Sequence, residues 1–140
     1  MPTSINGRII SKGIGAGEAL VCNVPIGFNF GVDTETGVIT EHKHPLEGIS
    51  IKDKVLIFPN GKGSTGGSYV VYQLAKMETG PCAILNLNTE TIIAVGAIMG
   101  GIPVMDQLDG DLFALVEDGD HLVVDANKGT VTITKKGDTN

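Results

Sequence analysis

The sequence predicts an α/β domain with a small parallel sheet and additional antiparallel strands, and three observations carry that expectation. Apolar runs at 55–58, 82–87 and 102–105 alternate with segments of helical character at 68–77 and 89–99. Strand, helix, strand, helix, strand at this spacing implies right-handed crossovers between parallel neighbours. The segment Gly61-Lys62-Gly63-Ser64-Thr65-Gly66-Gly67 joins the first of these strands to the first helix with four glycines. Further on, Leu122-Val123-Val124-Asp125 and the alternating Thr130-Val131-Thr132-Ile133-Thr134 flank Asn127-Lys128-Gly129, the pattern of a β-hairpin.

Taken in order, two short strands open the chain, at 7–11 and 17–22, with Gly13-Ile14-Gly15-Ala16-Gly17 between them as a tight turn or bulge. That spacing lacks the helix a dinucleotide fingerprint requires, because Glu18-Ala19-Leu20-Val21 continues as strand. Residues 23–50 read as one long irregular connection, of the kind that serves function or docking. Phe28 and Phe30 within it are expected to pack on another chain, and His42 and His44 to lie in a solvated loop rather than bind metal. In the first helix Val70, Val71, Leu74 and Met77 recur with helical spacing, and Thr79-Gly80-Pro81 stops it. Ser68 is placed to cap that helix and Thr89 to cap the second, whose body is almost wholly apolar and ends at Gly100-Gly101. A helical turn is expected near 110–113. Residues 1–6 and 135–140 are expected to be flexible ends of a single domain spanning 1–140.

Composition narrows the function classes. A chain of 140 residues with 41% hydrophobic content is long enough to bury one core and too apolar to be largely disordered. The formal charge of −6, without a basic stripe, argues against nucleic-acid binding. Cys22 and Cys82 are far apart and lie in apolar runs, so they read as free thiols in a reducing compartment. The first residues lack the features of a signal peptide, and the stretch 92–105 is cut by glycines and Pro103 and too short to span a bilayer. A cytoplasmic protein is expected.

The glycine turn carries the chemistry. Glycines let backbone N–H groups approach an anion closely, and the following helix adds unpaired donors and a partial positive charge. Ser64 sits in the middle of the turn with Lys62 beside it. A nucleotide-binding P-loop is excluded, because Gly67 occupies the position of its essential lysine. What remains is a site for a small anionic substrate with a hydroxyl available, or a glycine-rich connection and nothing more.

Four segments together resemble the small subunits of the aconitase X family. They are Gly7-Arg8 with 13–20, Gly31-Val32-Asp33-Thr34-Glu35-Thr36-Gly37, the glycine turn with Ser68-Tyr69-Val70, and Thr91-Ile92-Ile93-Ala94-Val95-Gly96-Ala97 with Gly101-Ile102-Pro103. The resemblance covers most of residues 7–125. It implies a swivelling β/β/α domain, like the mobile domain of aconitase, that closes over a large catalytic subunit carrying an iron–sulfur cluster. It also implies that Ser64 is the catalytic base and that this chain binds no cofactor or metal itself.

A serine is useful as a base only where its alkoxide is stabilised. Gly63, Thr65, Gly66 and Gly67 are placed to supply amides for this and for substrate binding, and Lys62 or Arg8 the cation; Arg8 reads equally well as a surface strand residue. The reaction implied is dehydration of a hydroxy acid, in which a Lewis-acidic iron can assist departure of hydroxide. The expected substrate is (R)-5-phosphomevalonate, giving trans-anhydromevalonate 5-phosphate in an archaeal-type mevalonate pathway. The alternatives are cis-3-hydroxy-L-proline as substrate, and a non-catalytic module that binds an anion or stabilises a partner.

Overall fold

The computed structural model describes residues 2–62 and 66–137. Its strands are β1 (Thr3–Asn6), β2 (Arg8–Ser11), β3 (Ile14–Val21), β4 (Val55–Ile57), β5 (Ala83–Leu85), β6 (Val104–Asp106), β7 (His121–Asp125) and β8 (Thr130–Thr134). The helices are α1 (Gly66–Lys76), α2 (Thr91–Gly100) and the short α3 (Leu112–Leu115). The strands form one mixed sheet in the order β1-β8-β7-β3-β4-β5-β6-β2. Neighbours from β3 through β6 are parallel, and all other pairs are antiparallel.

The two outer strands of this order, β1 and β2, are separated in the chain by Gly7 alone. Eight strands at about 4.8 Å spacing would make a flat sheet roughly 34 Å across. A one-residue link cannot bridge that distance, so the sheet curls until its two edges nearly meet. The result is almost a barrel.

Burial follows from this shape. Every residue of β4, β5 and β6 is buried, as expected of parallel strands covered on both faces. Alternate side chains divide between two cores. Leu56, Ile84 and Val104 face the helices, packing with Val71, Leu74, Ile93 and Ala97. Val55, Ile57, Ala83, Leu85 and Met105 face the barrel interior with Leu122, Val124, Val131 and Ile133. In α1 the buried positions Gly67, Val71 and Leu74 recur at helical spacing, while Met77 lies beyond the helix and is 42% exposed.

Several expectations are corrected. Residues 3–6 are not a loose end: β1 forms a ladder with β8 from Thr3↔Ile133 to Asn6↔Thr130. At the other end, Lys135 donates to Asp120 and the Lys136 amide bonds the same carboxylate, so the chain is tied down through Lys136; residues 138–140 lie outside the described ones. The stretch Ile14–Gly17 is strand rather than turn, paired with β7. The long segment 23–50 is also part of this domain's own core. Ile26, Phe28, Val32, Ile39 and Leu46 are buried, and the Phe28 ring packs on Phe58 with centroids 5.9 Å apart. Phe28 is therefore not held for a partner, whereas Phe30 is 92% exposed. His44 is buried too, bonded to the Pro25 carbonyl and the Leu46 amide.

Candidate active site

In a parallel sheet the connections that leave the C-terminal ends of the strands converge on one edge, where ligands bind in α/β folds. Here that edge collects the β4–α1 turn, the β5–α2 turn and the end of β6. The start of β2 joins them, because β2 runs antiparallel to β6 and pairs Arg8 with Asp106.

The glycine turn leaves β4 through Phe58-Pro59-Asn60-Gly61. Asn86, fully buried just after β5, donates to the Phe58 carbonyl at 2.9 Å, and the Leu87 amide bonds the Pro59 carbonyl at 3.0 Å. These bonds fix the direction in which the turn departs. On the other side, the Lys62 amide bonds the Ile26 carbonyl at 3.0 Å, so the turn is held between the β5–α2 connection and the long segment. Gly63, Ser64 and Thr65 lie outside the described residues; the structure places the two ends of the turn, at Lys62 and Gly66. A Cβ at Gly66 would stand 2.8 Å from the Asn29 side chain, and one at Gly67 would stand 3.0 Å from Ile92. Both positions need glycine for the helix to start this close to its neighbours.

Lys62 and Arg8 each have a carboxylate partner that local pattern did not reveal. Lys62 Nζ lies 2.8 Å from Glu41 Oε2, and this pair is partly exposed. The hydrogen bond from Lys62 holds the Glu41 carboxyl below its ordinary value, against a smaller effect of burial. Arg8 donates from Nε to Asp106 Oδ1 and from Nη2 to Oδ2, both at 2.8 Å. Asp106 is fully buried and also accepts from the Thr89 amide at 2.7 Å. Burial alone would push the Asp106 carboxyl up, but the Arg8 hydrogen bonds, the Thr89 amide and the Arg8 charge outweigh it and hold the group below its ordinary value. Arg8 is thus more than a surface strand residue. It is a forked contact between two strands, with half of its side chain still exposed.

The expected helix caps are not the observed ones. The N-cap of α2 is Glu90, not Thr89, and among the described residues no side chain caps this helix or accepts from its first-turn N–H groups. Among the described residues, Glu90 Oε1 and Asn86 Oδ1 are buried without a hydrogen-bond partner, and a Cβ at Gly61 would stand 3.1 Å from that Glu90 oxygen. Ser68 is not a cap either. It sits inside α1 and donates from Oγ to the Ile92 carbonyl at 3.0 Å, tying α1 to α2. Sequence reasoning missed Asp106, Asn86 and Glu41. The available signal for the first two was their position directly after the apolar runs of β6 and β5, where polar residues meet the ligand edge.

Among the described residues, no three His, Cys, Asp or Glu side chains come together as a metal site. Cys22 is buried in the helix-side core and Cys82 is half-buried at the start of β5, and burial pushes both thiols up, away from the thiolate that a metal takes. The described side chains do not fit an iron–sulfur cluster. No described helix is long and apolar enough to cross a membrane.

A nearly closed mixed barrel with two helices on one side, and a glycine turn feeding the first of them, defines a swivelling β/β/α domain. The family model for the aconitase X swivel domain matches residues 4–133, and the chain belongs to that family. It is 49% identical over 138 residues to the phosphomevalonate dehydratase small subunit of Methanosarcina mazei, covering 99% of this chain and 96% of that one. To the protein of the same name in Methanothermobacter thermautotrophicus it is 53% identical over 124 residues, 89% of this chain and 95% of the relative. The crystal structure of Thermococcus kodakaraensis aconitase X in its holo-form superposes with a TM-score of 0.88 at 42% identity, covering 95% of this chain and 99% of that one.

Proposed function

We propose that this chain is the small subunit of a cytoplasmic phosphomevalonate dehydratase, a hydro-lyase that acts only with a large partner subunit. The observation that carries the reading is likeness over almost the whole chain to proteins of that name at about half identity. The glycine turn also stands at the ligand edge of the sheet. In this reading the iron–sulfur cluster belongs to the large subunit.

In this reading Ser64 takes the proton from the carbon beside the substrate carboxylate. The electron pair of that C–H bond forms the new double bond as the C–O bond on the next carbon breaks, and the departing hydroxide takes back the proton from Ser64 and leaves as water. Amides of Gly63, Thr65, Gly66 and Gly67 stabilise the Ser64 alkoxide and the substrate anion. Lys62 and Arg8 supply cationic donors to the same substrate. Because each is already paired with a carboxylate, neither leaves this chain with a net positive site. The large subunit must therefore supply the remaining cations.

The test is reconstitution with the large subunit, assayed on phosphomevalonate and, separately, on cis-3-hydroxy-L-proline. Turnover of phosphomevalonate by the complex, none by the isolated small subunit, and a loss in kcat of about 10³-fold or more in Ser64→Ala are expected. Turnover of hydroxyproline alone would replace the substrate. Near-wild-type turnover in Ser64→Ala would remove the serine from its role.

A further inference from the structure

We infer that Asp106 is a positioning residue, and that it sets Arg8 as the receptor for the terminal anionic group of the substrate. The inference rests on the reading of the site given above and deepens it.

Asp106 ends β6 and has no exposed surface. Its two oxygens are occupied by three donors: Arg8 Nε, Arg8 Nη2 and the Thr89 amide. The fork on Nε and Nη2 uses one edge of the guanidinium and fixes its plane. Among the described residues, the end formed by Nη1 and the outer hydrogen of Nη2 has no partner, which leaves two parallel donors matched to a phosphate or carboxylate. Half of the Arg8 side chain is exposed, so a ligand can reach it.

The third donor adds to this. By holding the Thr89 amide, Asp106 also holds the entry of α2, whose first turn has no side-chain cap among the described residues. One carboxylate therefore locks together a forked cation and the amino end of a helix, both of which attract anions. A purely structural role accounts for less. Strands β2 and β6 already share a backbone ladder, and apolar residues in place of a buried ion pair are often as stable or more so.

The distance suits a substrate that spans the crevice. β6 lies two strands from β4, and at about 4.8 Å per strand the Asp106 end of β6 is roughly 10 Å from the line on which the glycine turn departs. An extended acid with a phosphate at its far end is of this size. It would present its reacting carbon at the turn and its phosphate at Arg8. Lys62, on the near side and paired with the partly exposed Glu41, is left to the carboxylate end.

The experiment uses the reconstituted two-subunit enzyme with Arg8→Lys, Arg8→Gln and Asp106→Asn. For each, kcat and KM for phosphomevalonate, binding of inorganic phosphate by calorimetry, and Tm are measured. Arg8→Gln is expected to raise KM about 10- to 100-fold, as fits loss of a charge-assisted two-point contact. Arg8→Lys and Asp106→Asn are expected to raise it about tenfold with kcat within a few-fold, and phosphate binding is expected to weaken in parallel. Lowered Tm with unchanged KM and unchanged phosphate binding in all three would overturn the inference and leave a structural tie. Should Asp106→Asn fail to fold, the two variants of the half-exposed Arg8 decide alone. Should the wild-type complex not turn over phosphomevalonate, the functional reading fails by itself; phosphate binding that still depends on Arg8 would then uphold the anion receptor, and binding indifferent to Arg8 would sink it.

Discussion

Gly96→Ala tests whether the position of the glycine turn is set by the contact between the two helices. Gly96 lies in the middle of α2 against α1. A Cβ there would stand 2.6 Å from the Ser68 carbonyl oxygen and 2.7 Å from Val71 Cβ, where ordinary contacts are 3.4 Å or longer. Gly100, one turn on, faces Ala75 in the same way. The seam has no room for a side chain at either glycine, and a methyl at Gly96 must open it by roughly 0.8 Å, the shortfall between 2.6 and 3.4 Å. The obstructing atoms are backbone oxygen and a β-branched carbon, neither of which can swing away.

Overpacking of this kind costs about 1–3 kcal/mol, and the better helix propensity of alanine returns about 1 kcal/mol. A net loss of up to about 2 kcal/mol corresponds to a fall in Tm of up to about 8 °C for a chain of this length. The functional consequence is larger than the structural one. α1 begins at Gly66, directly after the turn, so a helix pushed outward carries the turn with it. Displacements near 1 Å can cost about 100-fold in rate, and a kcat lowered about tenfold or more in the reconstituted complex is expected. The comparison variant is Ile98→Ala, 57% exposed on the same helix, which should stay within about 0.5 kcal/mol of wild type. Wild-type Tm and kcat in Gly96→Ala would refute the reasoning, since they would mean that the seam has room or that the turn does not move with α1.

Ser68→Ala should lower stability by about 1 kcal/mol, seen as a small drop in Tm, with kcat within a few-fold of wild type, because the Ser68 hydroxyl bonds the Ile92 carbonyl rather than substrate. A kinetic loss as large as that of Ser64→Ala would place Ser68 in the chemistry. Acid titration followed by circular dichroism should show stability falling below about pH 4. Burial would raise Asp106 and Asp120, but their hydrogen bonds and paired cations hold both carboxyls below the ordinary value. Their contribution is present above the unfolded-state pKa and lost as pH falls through the folded one, so Asp120→Asn should flatten the acid limb; an unchanged limb would contradict the assignment.

How much of this was legible in the sequence depended on whether the cause was local. The three central strands showed as apolar runs because both their faces are buried, and the glycine turn showed because a strand and a helix flank it. β1 was missed because Thr3-Ser4-Ile5-Asn6 is an edge strand with little burial, held by its ladder to β8 rather than by a core face. The run Ile14–Gly17 looked like a turn for its glycines. They are there because other backbone passes close by: a Cβ at Gly17 would stand 2.7 Å from the Asp53 carbonyl oxygen. Phe28 and Phe30 read alike in sequence, yet one fills the core against Phe58 while the other, with φ at 68°, points to solvent.

The site divides along the same line. Residue types and the turn itself are local and were readable. The counter-charges are not: Asp106 is 98 positions from Arg8, and Glu41 is 21 from Lys62. Lys62 and Arg8, each named from sequence as a cation, arrive with carboxylates of their own. What this half of the site offers an anion is a set of donors fixed in direction, consistent with a chain whose formal charge is −6. Donors held in place give orientation and specificity; attraction at long range requires unbalanced positive charge, which in the proposed reading comes from the large subunit.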